Sequence, residues 1–316
     1  MSFQIKDSLS VQFTKAPVVS FAGPSGSGKT ESAMRLMRGY VGSNEKFVIV
    51  DTEEKRALYK KKRYQPWDWV DFQPPFTPER YVEVLDAVKH YKGVIVDSGS
   101  HEYAGPGGLQ DIHEETLNRM TKGNDARAEA LSGPAWKDAK QRHKSKFMSY
   151  LIRYPTPLVI CLRAEPKVKF VKVMKDGRER NEIVDAGYQP ICEKSFMFEM
   201  LVGAMMTADN AGVPQHIKQL EKDLEPIFLA GQQIDEGTGQ RLAAWASDRV
   251  TTVLESLTED EIKSLIATLA VKTLPALKTL FEVAYKRANE ARDKPARERI
   301  TAEYNKRKSE LEAQQI

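Results

Sequence analysis

Cysteine is scarce in this chain: two thiols, Cys161 and Cys192, among 316 residues. They form no CxxC pair, which excludes a zinc ribbon, and two thiols in apolar stretches argue against a disulfide framework. The N-terminal MSFQIKDSLSVQF lacks the basic-then-apolar order of an export signal. No apolar run approaches the roughly 20 residues that cross a bilayer. A cytoplasmic protein without membrane attachment is the expectation. A strong excess of one charge is also missing, since the formal net charge is +4. That value permits a nucleic-acid partner without requiring one. The basic residues are concentrated in Lys55 to Arg63 (KRALYKKKR), Lys137 to Lys146 and Lys167 to Arg180, and each cluster reads equally well as a solvated face.

The chain does hold enough apolar residues, 41% of the total, for a sizeable core, and its length suggests about two domains. Short β-branched runs recur at Ala16 to Ala22, Phe47 to Val50, Gly93 to Val96 and Leu158 to Leu162. Val70 to Phe72 adds a brief one, and Phe196 to Met206 reads as a further apolar strand. Between them lie helical stripes at Glu31 to Tyr40, Pro78 to Tyr91 with Thr77 as N-cap, Leu109 to Met120, and Pro134 to Arg153. Strands alternating with helices predict an α/β fold with a parallel sheet. Asp176-Gly177 between the alternating runs Val168 to Val173 and Arg180 to Val184 predicts a β-hairpin. Residues 207 to 250 show no clear pattern. From Thr258 the pattern becomes purely helical. Thr258 and Glu261 form a capping box, Leu257 and Ile262 a hydrophobic staple, and Pro275 and Pro295 open two more helices. The expected division is residues 1–250, with a core at 16–206, and a helical module at 251–316.

Gly23-Pro24-Ser25-Gly26-Ser27-Gly28-Lys29-Thr30 fits G-x-x-x-x-G-K-[ST]. Chance alone would give this pattern in roughly one chain per hundred of this length, but here it also follows a buried strand and opens a helix. Glycines let backbone N–H groups close around phosphate oxygens, and the helix N-terminus adds positive potential. Lys29 would reach the β- and γ-phosphates of ATP, and Thr30 would ligate Mg²⁺. Asp97 ends GVIVD, where a carboxylate holds the same ion. Glu53 ends VIVDTE and is a candidate for activating water, with Asp51 and Glu54 as rivals. Arg163 ends LVICLR, where it either senses the γ-phosphate or forms a structural ion pair. His101 reads as a structural residue.

The succession of the Gly-rich loop, VIVDTE, GVIVDS and PLVICLR resembles the RecA-type ATPase core. Residues 17–205 are similar to small RecA-like ATPases of bacteriophages, some of which act in single-strand annealing and recombination. The similarity is carried by VDTEEKRALY, FQPPFTPERY, DSGSHEYAGPGGLQD, the Ala135-Trp136 helix, and Arg163 with Lys167 beyond it. The C-terminal YNKRKSELE matches more loosely. The resemblance implies an ATPase using Mg²⁺, with Glu53 of Asp51-Thr52-Glu53 as the catalytic carboxylate. It further implies self-assembly, single-stranded DNA and replication or recombination proteins of phage or host as partners, and a host-cytoplasmic location. Two departures stand out: Arg163 replaces the amide usual in RecA, and RecA's DNA-binding loops are not recognisable. The expected DNA contacts are Lys167, Lys169, Lys172, Lys175, Arg178 and Arg180, with Phe170 as a stacking group. The rival readings are a small-molecule kinase and a nucleotide-regulated interaction protein.

Overall fold

The computed structural model describes residues 16–175, 178–247, 259–271, 273–290 and 294–313. The chain divides into two units, Met1–Arg249 and Val250–Ile316. The first unit begins with β1 (Val18–Gly23), α1 (Lys29–Val41), β2 (Phe47–Asp51), β3 (Trp67–Asp71), α2 (Pro78–Val88) and β4 (Val94–Asp97). Next come α3 (His101–Ala104), α4 (Leu109–Thr121), α5 (Ala128–Arg142), a π-helical stretch at His143–Met148, and α6 (Ser149–Leu151). The unit ends with β5 (Leu158–Lys175), β6 (Arg178–Pro190), α7 (Phe196–Glu199), β7 (Val202–Met205), β8 (Gln215–His216) and α8 (Glu236–Ala246).

Strand order in the sheet is β3-β2-β4-β5-β1-β7-β8. All neighbours are parallel except β7 and β8. Both faces are covered, which is why the strands are continuous apolar runs and not alternating ones. Residues of one parity, such as Val18, Val48, Val96 and Ile160, pack with Tyr81 and Leu85 of α2 and with Phe147 and Leu151. Residues of the other parity, such as Phe21, Ile49, Ile95 and Val159, pack with Met34 and Leu36 of α1 and Leu242 of α8. Thr77 caps α2 by accepting the Arg80 N–H, with Pro78 at its first position.

The structure corrects several sequence expectations. Pro134 does not open a helix; it lies inside α5. A proline there leaves the Ala130 carbonyl without its helical donor. Both residues are exposed, so that carbonyl is not sealed in the core. Phe196 to Met206 is not one strand, because α7 takes its first residues and only β7 joins the sheet. Leu158 to Leu162 and Val168 to Val173 are not separate strands. They are the two ends of β5, which runs for 18 residues. Its first part lies in the sheet between β4 and β1, and its second pairs antiparallel with β6 as a two-stranded arm. The Asp176-Gly177 tip lies outside the described residues. Within the unpatterned 207–250 stretch, α8 is fixed by a capping box between Asp235 and Thr238.

The second unit contains α9 (Glu259–Ala267), α10 (Leu274–Glu290) and α11 (Lys294–Ala313). Ile262, Leu269, Leu277, Ala284 and Ile300 form its core, and Phe281 stacks on Tyr304 at 4.2 Å. Thr258 and Leu257, of the expected cap and staple, lie outside the described residues. Among the described residues no helix is long and apolar enough to cross a membrane.

Helices α1 and α8 cross with their backbones in contact at two glycines. A Cβ on Gly39 would lie 1.8 Å from the Glu236 carbonyl oxygen, and one on Gly239 would lie 2.0 Å from that of Leu36. Gly to Ala in a helix ordinarily gains about 1 kcal/mol. Here the obstruction is backbone, and overpacking of this kind costs about 1–3 kcal/mol. Gly39→Ala is therefore expected to lower the denaturant midpoint of the chain; an unchanged or higher midpoint would show that the two helices separate freely.

Candidate active site

In a buried parallel sheet polar groups collect at the carboxyl ends of the strands, and the register aligns those ends here. Gly23 is opposite Arg163, Asp97 opposite Cys161, and Asp51 opposite Asp97. The turn between β1 and α1 is tight for two reasons. A Cβ on Gly23 would meet the Met206 carbonyl oxygen at 2.3 Å. Gly28, the residue before α1, has φ of 86°, and a Cβ there would meet Gly212 N at 2.7 Å. Ser27 Oγ donates to the Pro24 carbonyl at 2.9 Å and braces the loop.

Lys29 folds back over this loop. Its Nζ donates to the carbonyls of Gly23 and Pro24, each at 2.8 Å. Burial lowers its pKa, against the neighbouring charges of Asp97 and Glu53. Thr30 Oγ1 donates to Asp97 Oδ2 at 2.6 Å. Asp97 is buried, and its pKa is pushed up to about 6 by desolvation, with the Thr30 hydrogen bond and Lys29 opposing. The Thr30 and Asp97 oxygens are hard donors of the kind Mg²⁺ prefers. Among the described residues no group of three or more His, Cys, Asp and Glu is arranged to hold a metal. A cation on this pair would need further ligands from beyond these two side chains.

Glu53 is clamped from two sides. Its Oε1 accepts from Arg163 Nε at 2.7 Å and its Oε2 from Arg56 Nη1 at 2.7 Å. Burial pushes its pKa up, but the Arg163 hydrogen bond and the two guanidinium charges outweigh that and hold it below the usual glutamate value. The rivals to Glu53 have other positions. Asp51 accepts from the N–H groups of Glu53 and Ala57 and from the Trp69 indole, so it braces the turn after β2. Glu54 and Lys55 in that turn are both left-handed, with φ of 50° and 67°. Such residues cost about 1–2 kcal/mol each, a cost that the Asp51 hydrogen bonds offset. Arg163 forms the ion pair that was one of its two expected roles, and its side chain remains about half exposed.

Lys29, Thr30, Glu53, Asp97 and Arg163 line one cleft of about 580 Å³. The cleft lining adds Arg56, Tyr59 and Lys60, which in the sequence stand within a charge cluster and, for Arg56 and Tyr59, within VDTEEKRALY. Tyr59 is 91% exposed, and an unstacked aromatic ring beside a polar cleft is the signal that KRALYKKKR contained. Lys60, Arg63 and the Tyr64 hydroxyl all engage Glu31 in the first turn of α1 and fasten the rim to the loop. His101, expected to be structural, contacts Thr52 and stacks on Phe76.

Of the expected DNA-contact residues, none whose side chain is described lines the cleft. Lys167, Lys169, Lys172 and Arg180 are exposed on the β5–β6 arm, which starts directly after Arg163. Lys175 and Arg178 are paired in register near its tip. Alternation puts Phe170 and Lys172 on one face and Lys169 and Arg180 on the other. A register shift between Pro166 and Val168 breaks the regular alternation of Lys167 with Lys169. The Phe170 face is notably apolar, with Val168, Phe170, Met174 and Ile183 all more than half exposed.

No protein-family model matches this chain, and no curated protein is similar to it.

The buried Asp97 carboxylate has a sign that can be measured. With a folded pKa near 6 against an ordinary 3.8, folding takes up a proton between those values. The stability this confers is complete below about pH 4 and is lost as pH rises through 6. At pH 8 the charged carboxylate costs on the order of 3 kcal/mol. Asp97→Asn, without nucleotide or Mg²⁺, is expected to raise the thermal midpoint at pH 8 and to lose that advantage near pH 4. A destabilised variant at pH 8 would mean that the charge on Asp97 already has sufficient partners.

Proposed function

We propose that the chain is a RecA-like nucleoside-triphosphatase that binds ATP with Mg²⁺ and acts on single-stranded DNA in recombination, annealing or replication. The observation that carries the reading is the convergence of four strand ends on one cleft: the Gly-rich loop after β1, Glu53 after β2, Asp97 on β4 and Arg163 on β5. Open α/β sheets bind ligands at the carboxyl ends of their strands. The loop N–H groups and the α1 N-terminus would take phosphate oxygens. Lys29, now bonded to loop carbonyls, would exchange them for the β- and γ-phosphates. Thr30 and Asp97 would hold Mg²⁺, which supplies charge neutralisation on the phosphates when bound. That role also accounts for a carboxylate buried at a cost. The exposed Tyr59 ring offers a base a stacking surface. Glu53 would orient or deprotonate the attacking water, provided that a γ-phosphate draws Arg163 or Arg56 away from it. Sequence motifs resembling bacteriophage RecA-like ATPases support the same reading, which includes assembly of several copies.

The test is ATP turnover with and without single-stranded DNA. Lys29→Ala is expected to abolish turnover and weaken ATP binding severely. Glu53→Gln should keep ATP binding and hydrolyse at least ~100-fold more slowly, the scale of a lost general base. Normal turnover in a folded Lys29→Ala protein would end the nucleotide reading. Phosphate transfer to a small acceptor would favour a kinase, and binding without turnover would favour a nucleotide-regulated interaction protein.

The arm carries the DNA half of the proposal. Each phosphate neutralised on a single strand contributes about −0.7 to the slope of log affinity against log salt. Replacing Lys169 and Arg180 by Ala, on one face of the arm, should flatten that slope by about 1–2 units. An unchanged slope and affinity would move the contact elsewhere, first to Lys60 to Arg63.

A further inference from the structure

Thr52, between Asp51 and Glu53, is buried, and its hydroxyl is in contact with three polar atoms. Oγ1 lies 2.9 Å from the Ser98 carbonyl oxygen, 2.8 Å from Ser98 N and 2.6 Å from His101 Nδ1. A threonine hydroxyl has one proton and two lone pairs. The Ser98 N–H occupies one lone pair. Were the proton given to His101 Nδ1, the Thr52 and Ser98 oxygens would face each other at 2.9 Å with no hydrogen between them. One assignment satisfies all three of these contacts. The Thr52 proton goes to the Ser98 carbonyl, and the second lone pair receives an N–H from His101 Nδ1. The Tyr81 hydroxyl donates to the same Ser98 carbonyl at 3.0 Å, which gives that oxygen two donors.

We propose that His101 is a positioning residue for hydrolysis, which as its Nδ1–H tautomer locks Thr52 and thereby sets the place of Glu53. This rests on the nucleotide-hydrolysis reading above. The ring is itself fixed, stacked on Phe76 with centroids 4.9 Å apart and planes 20° apart. Thr52 also donates its backbone N–H to the Asp97 carbonyl at 2.8 Å. The Thr52–His101 contact therefore ties the turn after β2 to the start of α3, and the residue after Thr52 is Glu53. Ser100, beside His101, accepts the Arg163 backbone N–H at 2.8 Å, so the loop after β4 also holds the end of β5. Burial and the nearby Arg163 charge keep the imidazole pKa below its ordinary value, which favours the neutral ring. Its Nδ1 proton holds the scaffold on which Glu53 stands.

Two side chains separate this role from a merely space-filling one. Asparagine carries an amide N–H near the place of Nδ1, whereas glutamine carries one near Nε2. Steady-state ATP hydrolysis, binding of a fluorescent ATP analogue, and ¹⁵N imidazole spectra of the parent give independent readouts. His101→Ala is expected to lower kcat on the order of 10–100-fold, the scale of a catalytic group displaced by about 1 Å. KM and analogue affinity should stay within about twofold, because the lost interaction acts only on the reacting geometry. His101→Asn should recover most of the loss and His101→Gln should not. The spectra should report a neutral ring protonated at Nδ1. Rescue by glutamine and not asparagine, an Nε2–H tautomer, or an undiminished kcat in His101→Ala would each overturn the proposal while leaving the nucleotide reading intact. If the parent shows no hydrolysis that depends on Lys29, the nucleotide reading itself fails and this proposal fails with it. Should His101→Ala not fold, the asparagine and glutamine pair and the parent's tautomer still decide.

Discussion

A parallel sheet buried on both faces can carry charge only where its strands end, and this constraint organises the first unit. Between β3 and β7 the strand interiors are apolar because α1 and α8 cover one face and α2 and the 143–151 segment the other. Four of the charges near this core meet at the carboxyl edge. Lys29, Asp97, Glu53 and Arg163 come from four sequence regions, yet they line one cleft because β5 sits between β1 and β4.

Once gathered, these groups restrain one another. Two cations and two carboxylates share a partly desolvated space, and their pairing decides which charge is strained. Glu53 has two guanidinium partners and is comfortable as an anion. Asp97 has only a hydroxyl in direct contact and is not. Lys29 spends its donors on two loop carbonyls. Satisfied and unsatisfied sites of opposite preference thus stand side by side, which is the electrostatic state a polyanion with a divalent counterion would change most.

The sequence made the strands and the cleft residues legible where local chemistry and tertiary structure agree. Phe47 to Val50 is too apolar for an edge, and GPSGSGKT leaves its turn few alternatives. What stayed illegible depends on partners distant along the chain. Helix α8 follows a stretch with little periodicity and is recognisable through Gly39 and Gly239, 200 positions apart, whose missing side chains let two helices touch. Pro134 misled because a proline normally starts a helix, and only the exposure of Ala130 shows why it is tolerated inside one. The division of labour between Asp51 and Glu53 was equally hidden. Asp51 ends β2 and Glu53 follows two residues on, and Trp69 and the Ala57 N–H, which occupy Asp51, come from a neighbouring strand and the following turn. The roles of Arg56 and Tyr59 required the left-handed turn at Glu54 and Lys55, which no composition rule announces.

Strand β5 has a mechanical aspect. It is one uninterrupted ribbon, clamped in the sheet by β4 and β1 along its first residues and free of the sheet beyond Arg163. The twelve residues from Ala164 to Lys175 extend about 40 Å at ~3.3 Å per residue. A rotation of only about 1° at the Arg163 pivot displaces the far end by ~0.7 Å over that length. The ion pair between Arg163 and Glu53 thus sits at the short end of a lever, where a small rearrangement is multiplied without any other part of the sheet having to move.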